Sequence, residues 1–289
     1  AMAVRIVDAD GNFMTQRELP HMAVVSVSFK GDGVEVSAAG FPTLSIEPPA
    51  DGERVAAMVW DSESEAIAHD RQTNEWFSDV LGQDVKLLYM PDDAGRPISE
   101  RFNKGGEIVS FADGYPLLVI GEASLADLNS RLDAPLPMNR FRPNLVLDGL
   151  EAHDEDHLSS IAVGDVVLKP VKPCTRCVVT TTRQSTGEVD GDEPLRTLKT
   201  YRWDATLRGH GLLGCRLARK RVHGARCSRA AGLSTCRARR LVLRATIITM
   251  TVTAKWSLIS VKTRPTLKAT TRTACTTCIW LLGKPLALV

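Results

Sequence analysis

Val171-Lys172-Pro173-Cys174-Thr175-Arg176-Cys177-Val178-Val179-Thr180-Thr181 is the stretch whose reading decides the fold. Apolar and β-branched residues flank a Cys-x-x-Cys pair, so the cysteines fall at the mouth of a β-strand. With Arg176 beside them a thiolate is favoured, and a thiolate is a soft ligand for a transition metal. By itself the pair leaves buried thiols, zinc and redox chemistry all open. A structural zinc site needs a second close pair about 15–20 residues away, and Cys275 and Cys278 lie far beyond that spacing.

Working outward, strands are expected at Asn144 to Leu147 and Asp165 to Lys169. A helix is expected at Leu125 to Leu132, capped by Ser124, because Leu125, Leu128 and Leu132 recur at helical spacing. Pro194 is placed to open a short helix ending at Tyr201. Upstream, the chain reads as β structure. Val4-Arg5-Ile6-Val7 and Asn12-Phe13-Met14-Thr15 flank the turn Asp8-Ala9-Asp10-Gly11 as a hairpin, and Val25 to Phe29 and Val34 to Val36 alternate apolar and polar around Gly31-Asp32-Gly33. A helix from Asn74 to Leu81, with Thr73 as cap and Gly82 as stop, carries Trp76, Phe77, Val80 and Leu81 on one stripe and closes this small barrel or sandwich.

Charge divides the chain in two. All 34 acidic residues lie at or before Asp204, where they face 19 basic ones for a net charge of −15, whereas the residues from Ala205 onward hold 17 Lys and Arg and no carboxylate. A native basic domain usually carries some acids to offset self-repulsion. Permissible codons for Thr249 to Trp256, read two bases out of frame, give Asp-Asp-Gly-Asp-Gly-Glu-Met, an ordinary turn-like sequence. The tail is therefore read as a frameshift product after about Trp203, with a genuine basic domain as the rival. Its Arg-rich run from Arg216 to Arg240 lacks interleaved aromatics, so nucleic acid is not expected as a partner. No run of 18 apolar residues and no amino-terminal signal peptide occur, so neither membrane nor export is expected and the cytoplasm is the assigned compartment. His153-Asp154-Glu155-Asp156-His157 lacks the Glu after its first His that zincins need and reads as a solvated loop.

Three motifs occur in order: Gly121-Glu122-Ala123-Ser124-Leu125-Ala126-Asp127-Leu128-Asn129, Asn139-Arg140-Phe141-Arg142-Pro143-Asn144 and Lys172-Pro173-Cys174-Thr175-Arg176-Cys177. Together with Thr180-Thr181, Ser185-Thr186-Gly187-Glu188 and Glu193 to Lys199, they resemble the MOSC domain. Asp10-Gly11-Asn12-Phe13-Met14-Thr15-Gln16-Arg17-Glu18 resembles the β-barrel region that precedes that domain in the YcbX-like and mitochondrial amidoxime-reducing component family.

The resemblance implies an α+β, mostly β fold in three parts. These are a MOSC N-terminal β-barrel region over 1–90 with its start missing, a MOSC β-barrel domain over 91–203 with its end missing, and an irregular basic tail over 204–289 that is not native domain sequence. It implies a molybdenum cofactor (molybdopterin), with Cys177 as metal ligand and catalytic residue. Arg142 and Asn144 are its implied holders, with Asp113, Tyr115, Thr175 and Arg176 in contacting loops. The family's phosphate-gripping Lys-Ser pair lies upstream of this start, and Met2 stands where its Arg is expected. The implied chemistry is reduction of small N-hydroxylated substrates with electrons from a donor protein or reductase. The alternatives are a cofactor or sulfur carrier without turnover, and a non-functional fragment.

Overall fold

The computed structural model describes residues 3–59, 62–94, 96–97, 108–112, 114–163, 166–207 and 211–219, and in the tail the backbone of 244–247 and 259–260. In the first region the strands are β1 (Ala3–Asp8), β2 (Ser26–Lys30), β3 (Gly33–Ser37), β4 (Leu44–Ile46), β5 (Arg54–Val59), β6 (Ser62–Ala68) and β7 (Val85–Met90), with helix α1 (Arg71–Leu81) ahead of β7. They form a four-stranded sheet, β1-β7-β6-β5, and a three-stranded sheet, β2-β3-β4. The β2–β3 hairpin forms as its alternation predicts, from Ser26↔Ser37 to Lys30↔Gly33. The hairpin expected at the chain start is reduced to its turn and one bridge, Val7 to Phe13, because β1 spends its length on β7, paired from Ala3↔Met90 to Asp8↔Val85. Both faces of that sheet are covered, Val4 and Ile6 on one side and Ala3 and Val7 on the other, which is why β1 reads as a nearly continuous apolar run.

Helix α1 begins earlier than its apolar stripe suggests. Asp70 is the cap, its carboxylate accepting the Thr73 N–H at 2.7 Å, and Thr73 lies inside the first turn. Gly82 ends the helix at φ 72°, and Trp76, Phe77, Val80 and Leu81 are buried in one core with β1, β2 and β3.

In the second region the elements run β8 (Arg96–Pro97), β9 (Ile108–Val109), β10 (Leu117–Gly121), helix α2 (Glu122–Asn129), β11 (Leu145–Asp148), β12 (Ile161–Val163), β13 (Val166–Thr175), helix α3 (Leu195–Tyr201), β14 (Leu212–Arg219), β15 (Arg244–Ile247) and β16 (Ile259–Ser260). The main sheet has the order β12-β13-β14-β10-β11-β15-β16. Strands β10 and β11 are parallel, and α2 makes the crossover that parallel pairing requires.

Three expectations change here. Helix α2 starts at Glu122, not Leu125, because its first turn is satisfied by a distant carboxylate: Glu155, fully buried at 0% exposure, accepts the Gly121 N–H at 3.2 Å and the Ser124 hydroxyl at 2.6 Å. Gly121 leaves room for that carboxylate, since a Cβ there would stand 3.0 Å from Glu155 Oε2. The segment His153 to His157 is accordingly a packed turn and not a solvated loop, with Asp156 paired to Arg202 and His153 Nε2 3.1 Å from the Asp127 carboxylate.

The third change concerns the boundary near Trp203. Strand β14 lies between β13 and β10 near the middle of the sheet, and Leu212, Leu213, Cys215, Leu217 and Ala218 are buried, so native domain structure continues through Arg219. A bulge hides this strand's period. Thr175 faces Leu212 and Pro173 faces Cys215, which leaves one extra residue on β14. Gly214 sits there at φ 79°, where a Cβ would come within 2.5 Å of the Val119 carbonyl. Further on, β15 pairs with β11 from Leu145↔Ile247 to Asp148↔Arg244. The rest of the Arg-rich run lies outside the described residues.

Candidate functional site

The site forms where β13 leaves the sheet. Cys174 is the penultimate residue of that strand, 1% exposed and packed with Leu118, Ile120, Phe141 and Leu213. Thr175 ends the strand, partly buried, and Arg176 is held back to the sheet by its N–H on the Gly211 carbonyl at 2.9 Å. Cys177 then starts a 3-10 turn, Val178–Thr181, instead of the second strand that its β-branched residues suggest. The two threonines explain the turn. Thr180 donates its N–H and its hydroxyl to the Cys177 carbonyl at 3.0 and 2.8 Å, and the Thr181 hydroxyl donates to Val178 O at 2.8 Å.

The two cysteines therefore differ sharply. Cys177 is half-buried and Cys174 is sealed. Burial pushes the Cys174 thiol up, but the guanidinium groups of Arg176 and then Arg216 outweigh it and hold its pKa below the usual thiol value. Across the sheet, burial is the main cause that pushes the Cys215 thiol up to about 12.

A second 3-10 turn, Met138–Phe141, lies against the first. Arg176 reaches it with Nη2 on the Phe141 carbonyl at 2.7 Å, while its Nη1 stands 3.1 Å from Cys174 Sγ. Arg142 follows in the left-handed region at φ 51°, which turns the chain sharply toward Asn144. Asn144 then brackets the start of β10, accepting the Leu118 N–H on Oδ1 at 2.8 Å and donating its own N–H to Leu118 O at 2.9 Å. Arg142, Asn144, Thr175, Arg176 and Cys177 are thus drawn into one locale by four hydrogen-bonded segments. Tyr115 is buried beside the same strand, with the Lys172 ammonium 5.5 Å from its ring centroid. Asp113 lies outside the described residues.

Arg140 was not singled out from the sequence, although it stands inside the Asn139 to Asn144 motif. Its buried guanidinium donates to Thr181 O at 2.8 Å and pairs with Asp190 at 2.7 Å, so it clasps the turn that follows Cys177. Nothing in local spacing signals this, because Thr181 and Asp190 are reached only by folding. Arg216, beside Cys174, belongs to the stretch read as non-native.

A mostly β protein in two regions, with a single accessible thiol among the described residues, placed just past a strand end and next to Arg176, is the class this geometry defines. The family model described as the MOSC domain matches residues 106–228, and that described as the MOSC N-terminal beta barrel domain matches residues 4–84. The chain belongs to the MOSC-domain family, with the N-terminal barrel ahead of the MOSC domain. The match runs through β14, in agreement with the boundary set by the structure.

Among similar curated proteins, mitochondrial amidoxime-reducing component 1 of Mus musculus is 36% identical over 203 residues, covering 68% of this chain and 60% of that protein. Its Homo sapiens counterpart is 34% identical over 204 residues with the same shares, and that of Danio rerio is 34% identical, covering 68% and 62%. The chain spans about 60% of the length of the first two of these relatives. A Bordetella bronchiseptica protein solved in solution is 19% identical, covering 31% of this chain and 72% of that one at a TM-score of 0.28, too low a likeness to bear on the fold. Among the described residues no helix is long and apolar enough to cross a membrane.

Proposed function

We propose that this chain binds a molybdenum cofactor through the Cys177 sulfur and, supplied with electrons by a separate donor protein or reductase, reduces small N-hydroxylated compounds. The observation that carries the reading is the contrast within the Cys-x-x-Cys pair: Cys174 is sealed in the core against Arg176, and Cys177 stands half-buried at the head of a fixed turn. The names of the mammalian and fish relatives support the substrate class.

The residues present fit such a group. A thiolate is a soft, strongly donating ligand, and Arg176, next to Cys177 in the chain, and Arg142, at the end of the turn that Arg176 bonds, supply positive charge of the kind an anionic pterin dithiolene and phosphate would need. The Arg176 Nε–H is buried with no hydrogen-bond partner among the described residues, a donor the fold itself does not use. When bound, the cofactor supplies the two-electron chemistry that removes oxygen from an N–O bond. The chain holds and orients: Cys177 donates its sulfur, the Thr180 and Thr181 bonds keep its backbone in one conformation, and Asn144 keeps the Arg142 turn against β10.

Metal analysis of chain purified from a molybdenum-replete host tests the reading. Cys177→Ser is expected to lose molybdenum, while Cys174→Ser keeps most of it. Equal molybdenum in Cys177→Ser and the parent would overturn the assignment. Turnover of benzamidoxime with a chemical electron donor separates a reductase from a carrier, which would hold the cofactor and leave the substrate unchanged.

A further inference from the structure

Between the two regions lies a cleft of about 550 Å3, within the range of about 300–1,000 Å3 common for small-molecule sites. One wall is the loop carrying Gln16, Arg17 and Pro20 of the first region. The facing wall is the turn after Cys177, with Val178, Thr181 and Thr182, and helix α3 adds Leu195, Arg196 and Lys199.

Two features make it more than a gap between packed regions. Val178 and Val189 are 51% and 60% exposed, and both line the cleft, so its apolar surface is open to solvent. Its charge is also opposite to that of its surroundings. Arg17, Arg196 and Lys199 face a single carboxylate, Asp192, in a body whose net charge through Asp204 is −15. Arg196 is already engaged by Glu193 at 2.7 Å and Asp192 at 3.8 Å, whereas Lys199 has no ion pair among the described residues.

We propose that this cleft binds a small organic carboxylate, its apolar body over Val178 and Val189 and its charge toward Lys199, and that it thereby selects N-hydroxylated substrates that also carry a carboxylate. Val178 is the next residue after Cys177, so a molecule held there lies at the turn bearing the proposed metal ligand. The selection of N-hydroxylated compounds rests on the function proposed above; the binding of a carboxylate does not.

The test uses the metal-free full chain and two probes, 4-carboxybenzamidoxime and uncharged benzamidoxime, with affinities read by calorimetry or saturation-transfer NMR. The parent is expected to bind the carboxylate probe more tightly. Lys199→Glu is expected to weaken that binding by about tenfold while leaving the neutral probe unchanged, and Val189→Asp to weaken both. Lys199 and Val189 are exposed, so neither change opens the core. Equal affinity of the parent for both probes, no binding of the carboxylate probe, or an unaltered affinity in Lys199→Glu would overturn the proposal. If chain purified from a molybdenum-replete host carries no molybdenum while the metal-free chain still binds the carboxylate probe, the cleft stands and the cofactor reading falls.

Discussion

Arg176 Nη1 stands 3.1 Å from the buried Cys174 Sγ while Nη2 of the same guanidinium donates to the Phe141 carbonyl at 2.7 Å. One planar group thus ties the end of β13 to the turn that presents Arg142. The same contact gives the two cysteines of the pair separate roles, since Cys174 is committed inward and Cys177 is left at the surface.

Alkylation should follow accessibility before thiol acidity. Iodoacetamide at neutral pH is expected to modify Cys177 in the native chain while Cys174 and Cys215 stay unmodified until denaturant is added, because a sealed sulfur cannot be reached and the Cys215 thiol is also raised to about 12. Peptide mass spectrometry over a time course reads the order. Modification of Cys174 alongside Cys177 would show that the strand end opens.

Arg140 should matter to stability and to the site together. Arg140→Met removes a charged donor from Thr181 O and Asp190, and the expected loss is about 1.5–3 kcal/mol. Urea unfolding measures it. Molybdenum content should fall in the same variant under conditions where it remains folded; a stable variant with full molybdenum would show that the clasp is dispensable.

Strand β14 can be tested as part of the native sheet. Leu217→Ala empties a fully buried position and is expected to cost about 2–5 kcal/mol. Gly214→Ala forces a left-handed residue against the Val119 carbonyl and should cost at least about 1 kcal/mol. If both variants unfold at the parent's urea midpoint, the domain ends before Gly211.

Acid should weaken the α2–α3 contact. The Asp127 pKa is lowered to about 2, chiefly by its hydrogen bond from Arg131, with His153 and Tyr201 adding to the effect. A carboxylate with a depressed folded pKa contributes stability that is fully present above its unfolded value near 3.8 and is lost as pH falls toward 2. Asp127→Asn is therefore expected to lower stability at pH 6 and to change the parent's stability little at pH 2. Thermal unfolding at the two pH values decides it, and an equal penalty at both would show that the carboxylate charge is not responsible.

Composition and periodicity by themselves determined the mostly β character, the β2–β3 hairpin, the buried stripe of α1 and the short helix after Pro194. These follow from side-chain alternation, helical spacing and backbone restrictions, all of which act over a few neighbouring residues. The ordered motifs around Arg142, Asn144 and Cys177 were legible for a different reason, as a resemblance spread over the chain. Tertiary structure alone decided the rest. The partner of β1 is β7 and not its hairpin arm, because register is won by the pairing that buries both faces of a strand. The start of α2 depends on Glu155, the clasp on the Cys177 turn depends on Arg140, and each acts across a sequence gap of more than thirty residues. Strand β14 escaped detection because the extra residue at Gly214 breaks the two-residue period, so Leu213 packs with Cys174 while Cys215 and Leu217 pack on the opposite face. A bulge satisfies the fold only when the neighbouring strands are present, and for that reason the local pattern could not reveal it.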